Sequence, residues 1–338
     1  MSINWKILLS WVLGAVISPL CAAALFEDQA PLEIELTGPL SSLIDNKENR
    51  KEQPFQLRSE GNQLDILIRA RGNSRMRVCD FPPLRFNFGK ADTAGTPFEG
   101  LRKLKLVNRC KKEERYEYDV LEEYAAYRIF SLLSDAGFRT RLVRLTYNDT
   151  DGRLKAAYRH SYGFLLEPLD QLVTRMHGTR SRLSSVSLRQ LDKEQAALVY
   201  VFQYLIANTD WSFVTAENDD YCCHNIELIK TDQVHVPVPY DFDLAGMVNA
   251  AYARPDPSLK IKNVSRRIYR GFCTDSTILR AALRRITSKE EEILGIIAGL
   301  PLLKERTREN RIKYLKGFFD MAVDEDKLIA MFEKRCHP

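Results

Sequence analysis

Five short polar side chains within residues 207–246 are of the types that carry out phosphate chemistry. The stretch reads ANTDWSFVTAENDDYCCHNIELIKTDQVHVPVPYDFDLAG, and the five residues are Asn208, Asp210, Asn225, Asp241 and Asp243. Such groups are costly to bury without partners, so their position at the ends of apolar segments needs a reason. Asn and Asp oxygens can hold a divalent metal against nucleotide phosphates, while a further carboxylate orients or accepts the proton of an attacking hydroxyl. The set therefore predicts a site for phosphoryl transfer.

The segments between these residues predict the elements that position them. A helix over KEQAALVYVFQYLIA ends just before Asn208, NIELIK is typical of a strand, and VPVPYDFDLAG predicts another strand that ends in acids and a glycine. The ends of the two strands would bring one Asp, one Asn and a further Asp together. Hard oxygen ligands of this kind favour Mg²⁺ or Mn²⁺ as the cofactor.

The rest of the chain divides into a strand-rich part and a helical part. Alternating apolar and polar residues predict antiparallel strands over LEIELTG, QLDILIRARG, PPLRFNF and KLKLVN. The segment YDVLEEYAAYRIFSLLSDAG predicts one helix, which is followed by strands in TRLVRLTYND and YRHSYGFLLEPLD. Beyond Asp170, apolar residues three and four apart predict helices over STILRAALRRIT, KEEEILGIIAGL, ENRIKYLKGFFDMA and DEDKLIAMFEK.

This order of elements predicts an α+β fold with two lobes. The N-lobe, about residues 25–168, is expected to be an antiparallel sheet with one helix, and the C-lobe, about residues 169–338, is expected to be mainly helical. A sheet-rich lobe joined to a helical lobe is also the layout of a protein kinase.

An ordered set of motifs resembles the kinase-like family of spore coat protein H, CotH, which is itself similar to HipA-type atypical kinases. ANTDWS, HNIELI and VPYDFDLAG resemble the catalytic region of that family. RARGNSRMRVCDFPPLRFNF and KLKLVN resemble its RGNSS-type and following strands, and the helix and two strands after them also match. The similarity runs over about residues 64–246. The resemblance implies an atypical protein-kinase-like fold, with ATP as the donor substrate.

The resemblance also implies a role for each polar residue of the catalytic stretch. Asp210 takes the place of the catalytic aspartate, with Asn208 beside it, and Asn225 takes the place of the metal-binding Asn. If DFD is read like the Asp-Phe-Gly of protein kinases, Asp241 is the metal ligand, whereas in a strand Asp241 and Asp243 share a face and could both bind metal. The stretch WSFVTAENDDYCCH before Asn225 is longer than the spacing in related kinases.

The sequence contains neither a Walker A motif nor the glycine-rich loop of protein kinases, and RGNSR is the nearest substitute. The cation that contacts the nucleotide phosphates is therefore expected on a strand. The residues expected to contact ATP are the strand cations Lys105, Arg85 and Lys103 in order of preference, the helix acid Glu123 or Glu122, and Glu167 at the junction of the lobes.

The first residues indicate export. Lys6 precedes an apolar run over residues 7–17, and the small residues over 21–24 satisfy an A-x-A rule, which predicts a signal peptide over residues 1–24. The mature chain is expected to begin near Leu25, to be periplasmic or secreted, and to carry no transmembrane segment, since later apolar runs are shorter than the roughly 20 residues that span a bilayer.

Six cysteines follow residue 24, and an even count in an exported chain favours disulfides. The first expected pair joins Cys222 or Cys223 to Cys273, because both segments are expected near the site in the second lobe. Cys79 with Cys110 is the next expected pair, since each follows a strand of the first lobe.

The formal net charge of +5 is too mild to indicate a nucleic-acid partner. The leading expectation is an exported, metal-dependent phosphotransferase that moves phosphate from ATP to a hydroxyl of a protein, such as one of the envelope or cell surface. Two alternatives stay open, a catalytically silent, kinase-shaped binding protein of the envelope and a nucleotidyltransferase that moves AMP. The presence of Asp210, Asn225 and the two acids of DFD favours an enzyme.

Overall fold

The computed structural model describes residues 25–89, 91–214 and 221–338. The predicted signal peptide lies outside the described residues, as do residues 215–220 of the long stretch before Asn225. Among the helices within these three ranges, none combines the length and the apolar character that a membrane span requires.

The first part of the chain forms a closed, seven-stranded barrel in the order β1-β2-β3-β4-β5-β7-β6. The strands are β1 Leu32–Gly38, β2 Gln53–Ser59, β3 Asn62–Ala70, β4 Leu84–Asn87, β5 Lys103–Val107, β6 Thr140–Asp149 and β7 His160–Leu166. The expectation of a purely antiparallel sheet is wrong, because β1 pairs with β6 in parallel and so closes the barrel. Closure pairs both edges of the sheet, which a flat antiparallel sheet would leave open.

Strand β2 was not expected from the sequence, and a tight turn connects it to β3. Ser59 pairs with Asn62, and the two residues between them, Glu60 and Gly61, both have positive φ, at 48° and 76°. This is the backbone of a two-residue turn whose twist matches that of antiparallel strands. The hairpin β2–β3 follows from that turn.

The helices of the barrel part that are bounded within the described residues are α1 Leu40–Asp45, α2 Ser74–Val78 and α3 Arg115–Leu133. The single helix expected from the sequence corresponds to α3, and the other two are short. Helix α3 packs outside the barrel, where its apolar residues join Val107, Phe164 and Leu166 on the outer face of the strands. The barrel interior is a separate cluster that contains Ile68, Phe86 and other alternate residues.

The second part of the chain combines a small sheet with helices. Its elements are α4 Leu169–Arg175, β8 Thr179–Arg180, α5 Lys193–Leu205, β9 Ile226–Thr231, β10 Val234–Pro239, α6 Ser276–Thr287, α7 Glu290–Ala298, α8 Glu305–Ala322 and α9 Glu325–Arg335. The sheet order is β10-β9-β8. Asp192 caps α5 by accepting from the Gln195 backbone N–H at 2.8 Å, which fixes the start of the helix that leads into the catalytic stretch. Helix α3 and this part share one hydrophobic core.

The six described cysteines form three disulfides, Cys79–Cys110, Cys222–Cys223 and Cys273–Cys336. The expected pair Cys79–Cys110 is present. The expected link from Cys222 or Cys223 to Cys273 is wrong, because the two adjacent cysteines pair with each other. Cys273 instead pairs with Cys336 at the end of α9, where the Cys273 backbone N–H also donates to the His337 carbonyl at 2.8 Å.

The Cys273–Cys336 disulfide should contribute most to stability, because it closes a span of 63 residues. Replacing both cysteines with Ser should lower the free energy of unfolding by about 4 kcal/mol on the chain-entropy model. The matched control replaces Cys222 and Cys223 with Ser. The disulfide between these adjacent residues closes almost no loop, so its loss should lower the free energy of unfolding much less. Urea unfolding of the two variants tests the prediction, and equal losses would contradict it.

Candidate active site

The turn after α5 presents Asp210 to solvent. The Oδ1 atom of Asn208 accepts from the Asp210 backbone N–H at 3.0 Å, and Trp211 Nε1 donates to the Asn208 carbonyl at 3.1 Å. Asn208 itself is 1 % exposed, whereas the Asp210 side chain is 35 % exposed. Asn208, which we expected beside Asp210 in a catalytic role, therefore lies behind it and fixes its backbone.

The β9–β10 ribbon brings Asn225 and the DFD segment together. Ile226 at the start of β9 pairs with Pro239 at the end of β10, and the Tyr240 backbone N–H donates to the Asn225 carbonyl at 3.1 Å. Asn225 has a φ of 52°, a left-handed conformation that Asn tolerates better than most residues. Asp241 follows Tyr240 directly, so both predicted metal ligands lie at the same end of the ribbon.

Asn225 is hydrogen-bonded to the predicted catalytic aspartate. Its Nδ2 atom donates to the Asp210 carbonyl at 2.7 Å and to Asp210 Oδ2 at 2.8 Å. Both partners are acceptors only, so the amide nitrogen must face them. The amide oxygen of Asn225 is consequently directed away from Asp210, as a metal ligand would be.

His224 also contacts Asp210, through a 2.9 Å contact between His224 Nε2 and Asp210 Oδ1. Asn225 binds the other carboxylate oxygen, so the two side chains together hold the Asp210 carboxylate in one orientation. Sequence reasoning considered His224 only with Cys222 and Cys223, as a disfavoured zinc site, and did not assign it to the phosphoryl-transfer site. The position of His224 directly before Asn225 could have indicated that it lies near the site, but only the fold shows that its side chain contacts Asp210.

The two acids of DFD have different environments. Asp241 has a φ of 61°, and its backbone N–H donates to the Tyr127 hydroxyl at 2.8 Å. Within the described residues, no hydrogen bond or ion pair holds the Asp241 carboxylate. Protein surrounds this carboxylate on most sides although it keeps some solvent contact, and burial, followed by the charge of Asp243, raises its pKa to about 6.

The carboxylate of Asp243, by contrast, is occupied. Its Oδ2 atom accepts from Arg75 Nε at 2.9 Å and from the Tyr252 hydroxyl at 2.9 Å. Both acids lie beyond β10 rather than in it, so the expectation that they share the face of a strand is wrong. The geometry favours Asp241 as the metal ligand.

Arg75 joins the two parts of the chain at this point. It belongs to the RGNSR segment in α2, is 8 % exposed, and pairs with Glu123 of α3 as well as with Asp243. One guanidinium balances two carboxylates here. Despite its burial, those charges raise the pKa of Arg75, while burial raises the pKa of Glu123 to about 8.

Asp241 and Lys105 both line a cavity where the barrel meets the second part of the chain. Arg71, Glu123, Val107 and Leu166 also line it. Lys105 is solvent-accessible, yet protein atoms surround it as they do in a cleft. Burial, and then the charge of Arg71, lower the pKa of Lys105 to about 8. Lys105 and Glu123, two of the residues predicted to contact ATP, thus both line this cavity.

Other residues expected to contact ATP lie elsewhere. Glu167 is 4 % exposed, and its carboxylate is bound by Arg175 at 2.9 and 3.1 Å and by the Arg139 backbone N–H at 3.0 Å. Arg85 lies outside the cavity lining and faces Glu52 at 3.8 Å. The structure does not bring these two residues to the cavity.

Glu122, the alternative helix acid, also points away from the cavity and pairs with Arg311 of α8 at 2.6 Å. Lys103, on the outer face of β5 like Lys105, is not among the residues that line the cavity. Of the two helix acids, Glu123 rather than Glu122 lines the cavity, and of the two β5 lysines, Lys105 rather than Lys103 does.

The residues of the site suit a divalent metal of the Mg²⁺ type without forming a preassembled cage. Over residues 25–89, 91–214 and 221–338, no three His, Cys, Asp or Glu side chains are grouped as a metal cluster. The available oxygens are the unpaired Asp241 carboxylate and the amide oxygen of Asn225. Mg²⁺ commonly takes one or two protein oxygens and completes its shell with water and phosphate, so this donor set fits it.

No family model and no curated protein matches this chain. A solved structure described as a Helicobacter pylori proinflammatory kinase, CtkA, is similar to it with a TM-score of 0.37 and 11 % identity. The similarity covers 85 % of this chain and 95 % of that chain. A likeness of this degree establishes neither a site nor an activity, and the resemblance to the CotH family stays a prediction.

Replacing Arg75 with Met should strongly destabilise the fold, because Glu123 and Asp243 would lose the cation between them. We expect the free energy of unfolding to fall by about 3–5 kcal/mol, the usual loss when one partner of a buried ion pair is removed. Arg77→Met is the matched control, since Arg77 is exposed on the same short helix. Similar denaturation midpoints for the two variants would show that the Arg75 network is not stabilising.

Replacing Asp241 with Asn should stabilise the metal-free protein. The pKa of Asp241 is raised from an ordinary 3.8 to about 6, so the folded state keeps a proton that the unfolded state loses between these values. The free energy of unfolding therefore falls as pH rises through this window. Asn tolerates the left-handed backbone and carries no charge. In urea unfolding above pH 6, the free energy of unfolding should be higher for the variant than for the parent. If this free energy depends on pH in the same way in both proteins, the prediction for Asp241 is wrong.

Proposed function

We propose that this chain is a metal-dependent phosphotransferase that moves the terminal phosphoryl group of ATP to a hydroxyl of a protein. One observation carries the proposal, the hydrogen-bonded pair of Asp210 and Asn225 beside the unpaired carboxylate of Asp241. In this arrangement one carboxylate is held in place and accessible, while two oxygens next to it are available to a metal. Phosphoryl transfer needs both features in one site.

Asp210 is the residue that orients the acceptor. Its carboxylate is held by Asn225 on one oxygen and by His224 on the other, and each oxygen still has a lone pair for an incoming hydroxyl. The acceptor oxygen forms a bond to the terminal phosphorus as the bond from that phosphorus to the bridging oxygen breaks. ADP leaves, and the hydroxyl proton passes to Asp210.

The cavity between the lobes is the place for the nucleotide. Lys105 and Arg71 supply positive charge to the phosphates, and Val107 and Leu166 supply apolar surface for a base. Asp241 and Asn225 would hold Mg²⁺ or Mn²⁺, which neutralises phosphate charge as the transfer proceeds. Arg75, which lines the same cavity as Glu123, keeps Glu123 and Asp243 in place.

The three disulfides favour an oxidising compartment, so we place the protein among exported proteins, periplasmic or secreted. Its substrate would then be a protein of the envelope or cell surface. A donor must be supplied there, or the protein must act before or during export, because ATP is scarce outside the cytoplasm.

Two substitutions should separate binding from transfer. Asp241→Asn should abolish metal-dependent nucleotide binding, because the phosphate charge would lose its metal. Asp210→Asn should leave nucleotide binding intact and lower transfer by about 10² to 10⁴, the range for a positioned general base. Calorimetric titration with ATP and Mg²⁺ measures the first effect, and labelled ATP measures the second.

The mass of the product separates the remaining alternatives. A gain of one phosphoryl group on the acceptor supports the proposal, and a gain of AMP identifies a nucleotidyltransferase instead. Nucleotide binding without transfer to any acceptor, with Asp210→Asn indistinguishable from the parent, identifies a silent binding protein. Parental binding by Asp241→Asn would show that DFD has no part in a metal site.

A further inference from the structure

The outer face of the barrel carries a row of cations that starts at the cavity. Arg69 of β3 pairs with Arg85 of β4, and Arg85 pairs with Lys105 of β5, so the three residues are cross-strand neighbours. Each alternates with buried residues of the barrel interior, and the three side chains therefore share the outer face. We name these three residues the cation row.

Within the described residues, the cation row has a single ion pair, between Arg85 and Glu52 at 3.8 Å, and Glu52 also accepts from Asn87 at 2.9 Å. The charges of Glu227 and Asp241 act on Lys105, at the cavity end of the row. The Nε atom of Arg85 is buried without a hydrogen-bond partner in the described part of the chain. Like charges placed directly opposite each other in a sheet are destabilising. Arg69 donates to the Ala70 carbonyl at 2.8 Å, but this contact and the Glu52 pair leave three cations side by side, and their repulsion is expected to cost stability.

The row also differs from the nucleotide site. Lys105 lines the cavity, whereas Arg69 and Arg85 do not and continue away from it across β4 and β3. Their neighbour Arg50 adds positive charge, and the charges of Arg85 and Arg50 contribute to a lowered pKa of Arg69, after burial. A polyanion on this face would relieve the repulsion and would reach the cavity where the row meets it.

We propose that the cation row is a docking surface for an acidic segment of the protein substrate. The proposal rests on the proposed function for the identity of that segment as substrate. Charge complementarity selects the occupant: an extended polypeptide places every second side chain on one face, so a run of Asp or Glu can lie along the row. Lys105, at one end of the row, lines the cavity that Asp241 also lines, so a docked segment would lead towards the proposed nucleotide site.

The test uses an extended peptide that is rich in Asp and Glu and contains one Ser. The control is the same peptide with every Asp replaced by Asn and every Glu by Gln. The acidic peptide should bind the mature chain without nucleotide, and binding should weaken with added salt. Arg69→Gln and Arg85→Gln should each weaken it about threefold, and the double variant about tenfold. Arg58→Gln, an exposed arginine on β2 that faces Glu35 across the strands, is the control and should bind like the parent.

The melting temperature supplies a second test, because its expected change has the opposite sign if Arg85 only stabilises the fold. Arg85→Gln should raise the melting temperature at low salt by about one to three degrees, because it removes repulsion from Arg69 and Lys105. Arg58→Gln should not raise it. A fall in the melting temperature of Arg85→Gln would show that the row is structural, and would overturn the proposal.

The outcomes also separate this proposal from the proposed function. Binding of ATP with Mg²⁺ by Arg69→Gln and Arg85→Gln should equal that of the parent, while the KM for the acidic peptide rises and kcat stays. If the parent binds ATP but binds the two peptides equally, the docking surface alone is wrong. If it binds the acidic peptide but no nucleotide, the substrate role is overturned. Tighter binding of a single-stranded oligonucleotide than of the peptide would assign the row to nucleic acid and overturn the proposal.

Discussion

The arrangement of the site depends on the guanidinium of Arg75. Three separate segments end on this one group: its own short helix after β3, helix α3 through Glu123, and the segment after β10 through Asp243. A buried cation cannot turn to water, so its partners must stay where they are. The barrel, the helix on its outer face and the ribbon are therefore held together around the cavity, although no strand in the described part of the chain pairs across it.

The ion pair between Arg75 and Asp243 also gives the two acids of DFD different environments. Asp243 is satisfied by Arg75 and Tyr252 and holds the chain in place. Asp241, two residues earlier, has a left-handed backbone, and within the described residues no hydrogen bond or ion pair holds its carboxylate. A carboxylate kept unpaired in a protein cleft is unfavourable by itself, and such costs are commonly found where a protein must bind a ligand.

Much of this could be predicted from sequence, because several site residues lie at the ends of elements whose periodicity is plain. Asp210 follows a helix, and Asn225 and Asp241 flank two strands, so their meeting follows from short-range order. The parallel pairing of β1 with β6 has no local signature, since it joins strands about a hundred residues apart. Arg75 and His224 were not assigned to this site for a related reason: the sequence around a basic residue in a short helix, or around a histidine beside two cysteines, does not show which distant residues it contacts.

The Cys222–Cys223 disulfide lies directly before His224 and Asn225, in the wall of a cavity that these residues also line. As thiolates, the two sulfurs would be soft donors next to an oxygen site, and such donors prefer zinc or cuprous copper to magnesium. Joined to each other, they cannot ligate in this way. If the proposed metal site forms, this disulfide would disfavour thiophilic ions there, because neither sulfur would be free to bind them.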